Sequence, residues 1–135
     1  MAIKNRPEFE KFIDRVEKSS DEFRASSREK RHSKQYRTAR ENLNHLVDAE
    51  SFLEFGQFAV AAQRSRRDYE ELQDKTNADG IITGFCSINS KLVGPKSSQA
   101  VAIVYDYSVL AGTQGAFHHL KLDRICDQAK KFELP

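Results

Sequence analysis

The chain has 135 residues, 39% hydrophobic and 31% charged, with a formal net charge of +2 at neutral pH; this suffices for one small domain with a modest core. No apolar stretch reaches the roughly 20 residues needed to cross a bilayer. The start Met-Ala-Ile-Lys-Asn-Arg-Pro-Glu lacks the apolar segment of a signal peptide, so the expected location is cytoplasmic or an organelle matrix, with no membrane partner.

Pro7, followed by Glu8 and Glu10, is a favourable helix start: proline lacks the N–H that a first turn leaves unpaired, and acids suit the positive end of the helix dipole. Phe9, Phe12, Ile13, Val16 and Phe23 continue at helical spacing, with Ser19 and Ser20 interrupting the stripe. Residues 26–34 are polar and weakly patterned, a hinge or a frayed helix. Thr38 stands three residues before Glu41, a capping-box spacing, and Leu43, Leu46 and Val47 give the apolar face of a short helix ending near Asp48.

Ser51 to Gly56 reads as a short strand ending at glycine. The charged run from Arg64 to Lys75 has no clear apolar stripe and predicts a surface loop or a marginal helix. Asp79-Gly80 turns the chain into a strand from Ile81 to Ile88, whose internal Gly84 marks a bulge. Asn89-Ser90 predicts a hairpin turn back through Lys91-Leu92-Val93, and Gly94 to Gln99 a flexible insertion.

Ala100 to Tyr105 is short and rich in Val and Ile, the pattern of a central strand buried on both faces. A small-residue loop, Ala111-Gly112-Thr113-Gln114-Gly115, follows, and then an amphipathic stretch with Leu122, Ile125, Cys126, Ala129 and Phe132 on one face. Two glycines three apart, between a strand and a helix start, let the backbone approach something and aim free N–H groups at it; a tight connection without a ligand is the plainer reading. Cys86, in a strand, and Cys126, on the helix's apolar face, are expected to be buried reduced thiols, and no metal site is expected.

Charge is unevenly placed. Arg24, Arg28, Lys30, Arg31, Lys34, Arg37 and Arg40 stand against Glu29 alone, so residues 24–40 carry +6 and the remainder −4. With Tyr36 among them, this segment is a solvated helix face, an arm docking on an acidic neighbour, or a nucleic-acid-binding surface. His118 and His119 are adjacent, so on a helix they point about a hundred degrees apart and cannot share a metal; both read as ordinary helix-start residues. Ser108 has no recognisable His or Asp partner, and Asp106 and Asp123 are isolated, so no catalytic side chain is assigned.

Four blocks in order resemble the carboxyltransferase subunit or domain of biotin-dependent acyl-CoA carboxylases, of the acetyl-, propionyl- and methylcrotonyl-CoA type. They are Arg31-His32 with Thr38-Ala39-Arg40-Glu41-Asn42-Leu43 and Leu46-Val47-Asp48; Ser51-Phe52-Leu53-Glu54-Phe55-Gly56; Asp79-Gly80-Ile81-Ile82-Thr83-Gly84 with Ile88-Asn89; and Asp106 to Gly115, continuing through His119, Lys121, Asp123 and Arg124. The chain departs from the family pattern where Gly-Lys-Leu gives way to Tyr36-Arg37, one residue shorter.

The resemblance implies an α/β chain with a partial crotonase-like (ClpP/crotonase) fold, whose first strand-strand-helix turn spans Gly80 to Phe132. The expected division is an N-terminal helical arm over 1–37 and the beginning of the carboxyltransferase domain over 38–135, with the rest of that domain expected beyond Pro135. It implies transfer of a carboxyl group from carboxybiotin to the α carbon of an acyl-CoA, in which backbone N–H groups stabilise the developing oxyanions. Ala111, Gly112, Thr113, Gln114 and Gly115 are the expected acyl-CoA loop, with Lys121 meeting a CoA phosphate. Biotin is expected on a partner carrier; biotin carboxylase and biotin carboxyl carrier components are the expected partners, in a homo-oligomeric whole enzyme, and this chain alone is expected to be inactive. The alternative is a stand-alone interaction or nucleic-acid-binding module using residues 24–40.

Overall fold

Residues 6–135 are described by the structure, a computed structural model. Helix α1, Pro7–Lys18, starts at the expected proline, yet it buries no residue. Its stripe of Phe9, Phe12, Ile13 and Val16 stays exposed, and Phe23 lies beyond the helix end, so the stripe is shorter than its spacing implied. The segment read as a hinge or a frayed helix is helix α2, Ala25–His32. Helix α3, Ala39–Leu46, has the expected capping box: the Glu41 N–H donates to Thr38 Oγ1 (3.0 Å) and the Thr38 N–H donates to the Glu41 carboxylate (2.8 Å).

The sheet has three strands in the order β1, Leu53–Phe55; β2, Ile81–Ser87; and β3, Gln99–Tyr105, antiparallel throughout. Here the strand expected at the centre is displaced. β2 is the middle strand, pairing Glu54 with Gly84 on one side and Ala102 with Gly84 on the other. β3 lies at the edge, with Ala100 and Ala102 buried and the intervening residues only half so. A Val- and Ile-rich run fits an edge strand equally well once one face is covered, and composition alone does not distinguish the two places.

Helix α3 covers one sheet face, where Ala39 and Leu43 pack with Ile82, Cys86, Ala100 and Ala102. Gly84 lies on that face in unbroken register, so it makes no bulge. A Cβ there would fall 2.2 Å from Leu53 O and 2.6 Å from the Phe52 ring, and the glycine is required for space. The opposite face, with Ile81, Thr83 and Phe85, is covered by the last helix, while helix α4 packs beside the turn that precedes β2. In chain order these are α4, Tyr69–Lys75; α5, Ser90–Val93; and α6, Ala116–Lys131. Phe85 meets Phe55 edge-on at 5.0 Å and Phe132 at 5.9 Å.

Two further expectations change, and an open alternative is decided. Lys91-Leu92-Val93 belongs to α5, a single helical turn begun by Asn89 in the left-handed region, and is not a returning strand. The Asp48 carboxylate explains this: it accepts from the N–H groups of Asn89 (3.0 Å) and Ser90 (2.9 Å) and starts the turn. These donors hold Asp48 below the usual carboxylate range, Ser90 foremost. The charged run takes the second of its two expected forms, the short helix α4, in which Leu72 is fully buried against Val60 and Ala61. Cys86 is buried as expected, and burial pushes its thiol up, but Cys126 is exposed because α6 turns only Ile125 and His118 fully inward. Among the described residues no helix is long and apolar enough to cross a membrane.

Candidate functional site

Two turns of the same rare kind flank the sheet. Ala78, Asp79 and Gly80 have φ of 55°, 48° and 74°, and Leu110, Ala111 and Gly112 have φ of 46°, 53° and 79°. Side chains other than glycine resist this left-handed region, so each turn must be held by its surroundings.

The first turn is held from every side. The Asp79 carboxylate is buried at the start of α6, where Oδ2 accepts from the His118 N–H at 2.8 Å. It therefore serves as the helix cap that Gly115, at the N-cap position, does not provide. A Cβ on Gly115 would lie 2.8 Å from Asp79 Oδ2, so this glycine makes room for the carboxylate. The His118 ring lies within hydrogen-bond distance of Asp79 O through Nδ1 (3.0 Å) and packs on Tyr105 at 4.9 Å. His118 is thus a buried structural residue of the turn, not an ordinary helix-start position. Asp79 Oδ1 and His118 Nε2 are buried without a hydrogen-bond partner among the described residues.

Lys121 completes this support. Its ammonium donates to Ala78 O at 2.8 Å and to Ile81 O, so it faces inward, and burial lowers its pKa to about 8 against the pull of Glu54 and Asp79. Beside it, Arg40 makes a two-pronged pair with Glu54 (2.9 and 3.0 Å).

The second turn follows Asp106, which anchors the N-terminal arm. Arg24, between α1 and α2, donates to Asp106 Oδ2 at 2.9 Å and to Ser108 Oγ at 2.8 Å, and this pair is largely shielded from solvent. Ser108 Oγ in turn donates to Asp106 Oδ1 at 2.5 Å, which is the partner the sequence did not disclose; it ties the serine into an anchor rather than a nucleophilic pair. Val109 is buried against Gly80, and Leu110 packs on the Val60, Ala61 and Leu72 cluster. Ala111 is left exposed. The N–H groups of Gly112 and Thr113 donate back to Val109 O and Leu110 O, whereas those of Leu110 and Ala111 have no acceptor among the described residues.

Docking of the arm creates a cleft of about 410 Å³ between α2 and this turn. It is lined by Lys30, Arg31, Lys34 and Tyr36 on one side and by Tyr107, Ser108 and Ala111 on the other. Arg31 lies over the Tyr36 ring at 5.0 Å and donates to Arg37 O. Neither Lys30 nor Lys34 has a carboxylate partner among the described residues.

The expected site residues are thereby separated. Ala111 opens the loop and lines the cleft, Gly112 supplies the left-handed conformation beside the Tyr107 ring, and Thr113 and Gln114 are exposed. Gly115 and Lys121 instead support the first turn from within. The sequence reading missed the meeting of the basic segment with the loop. Tyr36 among seven cations was the only signal for it, and a contact across the whole chain has no local pattern. Among the described residues no group of side chains could hold a metal ion.

No family model matches the chain. Among curated proteins it is similar to the propionyl-CoA carboxylase beta chain of Roseobacter denitrificans, 32% identical over 98 residues, which are 73% of this chain and 17% of that protein. Among solved structures it superposes on a single-chain, multi-domain long-chain acyl-CoA carboxylase with a TM-score of 0.93 and 45% identity, covering 98% of this chain and 13% of that one. It also matches the transcarboxylase 12S hexamer solved with methylmalonyl-CoA, with a TM-score of 0.65 and 26% identity over 94% of this chain and 23% of that one. The chain spans about a fifth of the length of the curated relatives it matches.

Proposed function

Because this chain belongs to the carboxyltransferase family of acyl-CoA carboxylases, we propose that it forms part of the acyl-CoA site of such an enzyme, which transfers a carboxyl group from carboxybiotin to the α carbon of the thioester. One observation supports this above the others: Ala111 both opens the small-residue loop and lines the basic cleft. A ligand joining a thioester to phosphates by a long flexible arm has a use for both. The N–H groups of Leu110 and Ala111 are available to an oxygen of that ligand.

Lys121 takes a supporting part in this reading. Its ammonium is given to two backbone carbonyls, so it steadies the turn beneath the loop and leaves the CoA phosphates to other cations. No group of this chain is assigned to the chemical step. Carboxybiotin arrives as a substrate on a carrier component charged by a biotin carboxylase component, and the working enzyme is a homo-oligomer in the cytoplasm or, in a eukaryote, the mitochondrial matrix. The higher identity to the long-chain enzyme than to the transcarboxylase supports a long acyl chain.

The nucleic-acid alternative loses ground because Arg24, Arg31 and Arg40 are engaged within the chain. The test is labelling of the chain by a photoreactive long-chain acyl-CoA, with the adducts mapped by mass spectrometry. Adducts within residues 107–115 that unlabelled acyl-CoA suppresses are expected; adducts confined elsewhere, or insensitive to competition, would reject the reading.

A further inference from the structure

We propose that Arg24 of the N-terminal arm is a positioning residue for the loop: its guanidinium fork fixes residues 106–109 so that the N–H groups of Leu110 and Ala111 are aimed outward at the thioester oxygen. This rests on the acyl-CoA reading and deepens it, by adding a residue that acts on the ligand only through the backbone it holds.

Asp106 is the root of the loop, and each of its polar groups holds a different part. Its N–H donates to Gly80 O (2.8 Å), and its carbonyl accepts from the Val109 N–H (3.1 Å). Oδ1 accepts from the Ser108 N–H at 2.9 Å and from Ser108 Oγ at 2.5 Å. That leaves Oδ2, whose donor among the described residues is Arg24, through Nη1 at 2.9 Å; Nη2 of the same guanidinium donates to Ser108 Oγ at 2.8 Å. One rigid planar group therefore sets the spacing of carboxylate and hydroxyl, which a single ammonium on a flexible stem does not. Just beyond, Leu110 and Ala111 enter the left-handed region, a narrow range of backbone angles that a small rotation at the root would spoil.

The energetics favour positioning over general stabilisation. Arg24 and Asp106 keep only 11% and 16% of their side-chain surface exposed, and charges withdrawn from water recover little net stability from each other. The arm gains no core from the contact, since neither α1 nor α2 buries a residue. Arg28 and Arg31 line the same small recess beside Asp106 and Ser108, yet neither donates to them. The fork is thus specific to position 24. On its other side the turn rests on buried Val109 and on Leu110, which packs with Val60, Ala61 and Leu72. Fixed below and at its root, the turn keeps the Leu110 and Ala111 N–H groups without an acceptor among the described residues, ready for an oxygen that gains negative charge.

The full chain, isotope-labelled, is titrated with an acyl-CoA and with the matching S-acyl-pantetheine, which lacks the phosphates. Calorimetry reads the affinity, and the amide resonances of Leu110 and Ala111 read the loop. Arg24→Met is expected to move both resonances in the ligand-free chain and to weaken both thioesters by the same factor, about tenfold or more, as for lost hydrogen bonds to a charged group. Arg24→Lys, which has the charge without the fork, and Ser108→Ala, which keeps the ion pair, should each weaken both by about threefold. Arg28→Met, an equal loss of charge in the same recess, should change neither readout. Circular dichroism checks that each variant is folded, and if Arg24→Met is not, Arg24→Lys and Ser108→Ala decide. Unmoved resonances with wild-type affinity in the Arg24 and Ser108 variants overturn the positioning role and leave the acyl-CoA reading standing. Weakened binding with unmoved resonances, or a loss confined to acyl-CoA or matched by Arg28→Met, assigns the effect to charge or direct contact and overturns it too. Absence of binding of either thioester to the wild-type chain overturns the acyl-CoA reading and this inference together.

Discussion

The two left-handed turns have nearly the same backbone and opposite surroundings. Residues 78–80 are buried, and their strain is met by a carboxylate at a helix start, a lysine on two carbonyls and an imidazole on a third. Residues 110–112 rest on Val109 and Leu110 below and present Ala111 to a cleft above. Local strain supported on all sides belongs to the framework, whereas strain supported on one side only leaves backbone donors facing outward. Their two glycine partners divide the same way: Gly115 is needed for the space Asp79 occupies, and Gly112 for its φ.

Removing the carboxylate is the largest expected disruption. Asp79→Ala leaves a buried amide of α6 unpaired, and a hydrogen bond to a charged group contributes about 1.5–3 kcal/mol, so urea unfolding should show a loss of that size. Gly112→Ala should cost only about 1–2 kcal/mol of backbone strain, yet weaken acyl-CoA binding measured on the same protein. If Asp79→Ala were the milder of the two in unfolding, the division between framework and site would fail.

Lys121 sharpens the comparison through pH. Its folded pKa, about 8, lies below the ordinary lysine value of 10.5, so between those values the unfolded chain holds a proton that the folded chain has released. Stability contributed by this group therefore rises as pH increases through that window, by about 1–3 kcal/mol. In Lys121→Met the rise should disappear from melts taken across pH 8 to 10, buffers matched. A rise of the same size in the variant would assign it to other groups and remove Lys121 from the support of the first turn.

The smallest effect distinguishes the two alanines. Ala111→Gly relieves the left-handed penalty at an exposed position and should stabilise by about 1 kcal/mol. Ala78→Gly relieves the same penalty but removes a buried methyl, and the two changes should nearly cancel. Equal gains at both positions would mean that burial makes no difference between the turns.

Much of the fold was legible because it rests on local chemistry. The Thr38–Glu41 capping box, the Asp79-Gly80 turn, the strands about Phe55, Ile82 and Val104, and the amphipathic run to Phe132 all have short-range signatures. The resemblance to acyl-CoA carboxyltransferases rested on those same blocks. What escaped depends on partners distant in sequence. A carboxylate at position 48 made a helical turn of Lys91 to Val93, and the β1 and β3 pairings put the middle of the sheet at β2. Gly84 and Gly115 looked like a bulge and a ligand loop, but a glycine required by a neighbouring ring or carboxylate has no pattern of its own. The basic cleft is the extreme case, since Lys30 and Ala111 meet only after the arm has folded back.

That folding back has a dynamic consequence. The Arg24 clamp to Asp106 and Ser108 joins positions 82 and 84 residues apart, and α2 has no buried residue of its own to hold it against the sheet. The arm's other ties lie near the surface: Arg15 on Phe58 O, the Asn77 amide on Lys18 O and the His32–Glu41 pair; opening of the arm should therefore be less costly than global unfolding. Hydrogen exchange in α2 would report that opening directly. Anything seated between α2 and the turn must slow that exchange, while the sheet amides exchange as before.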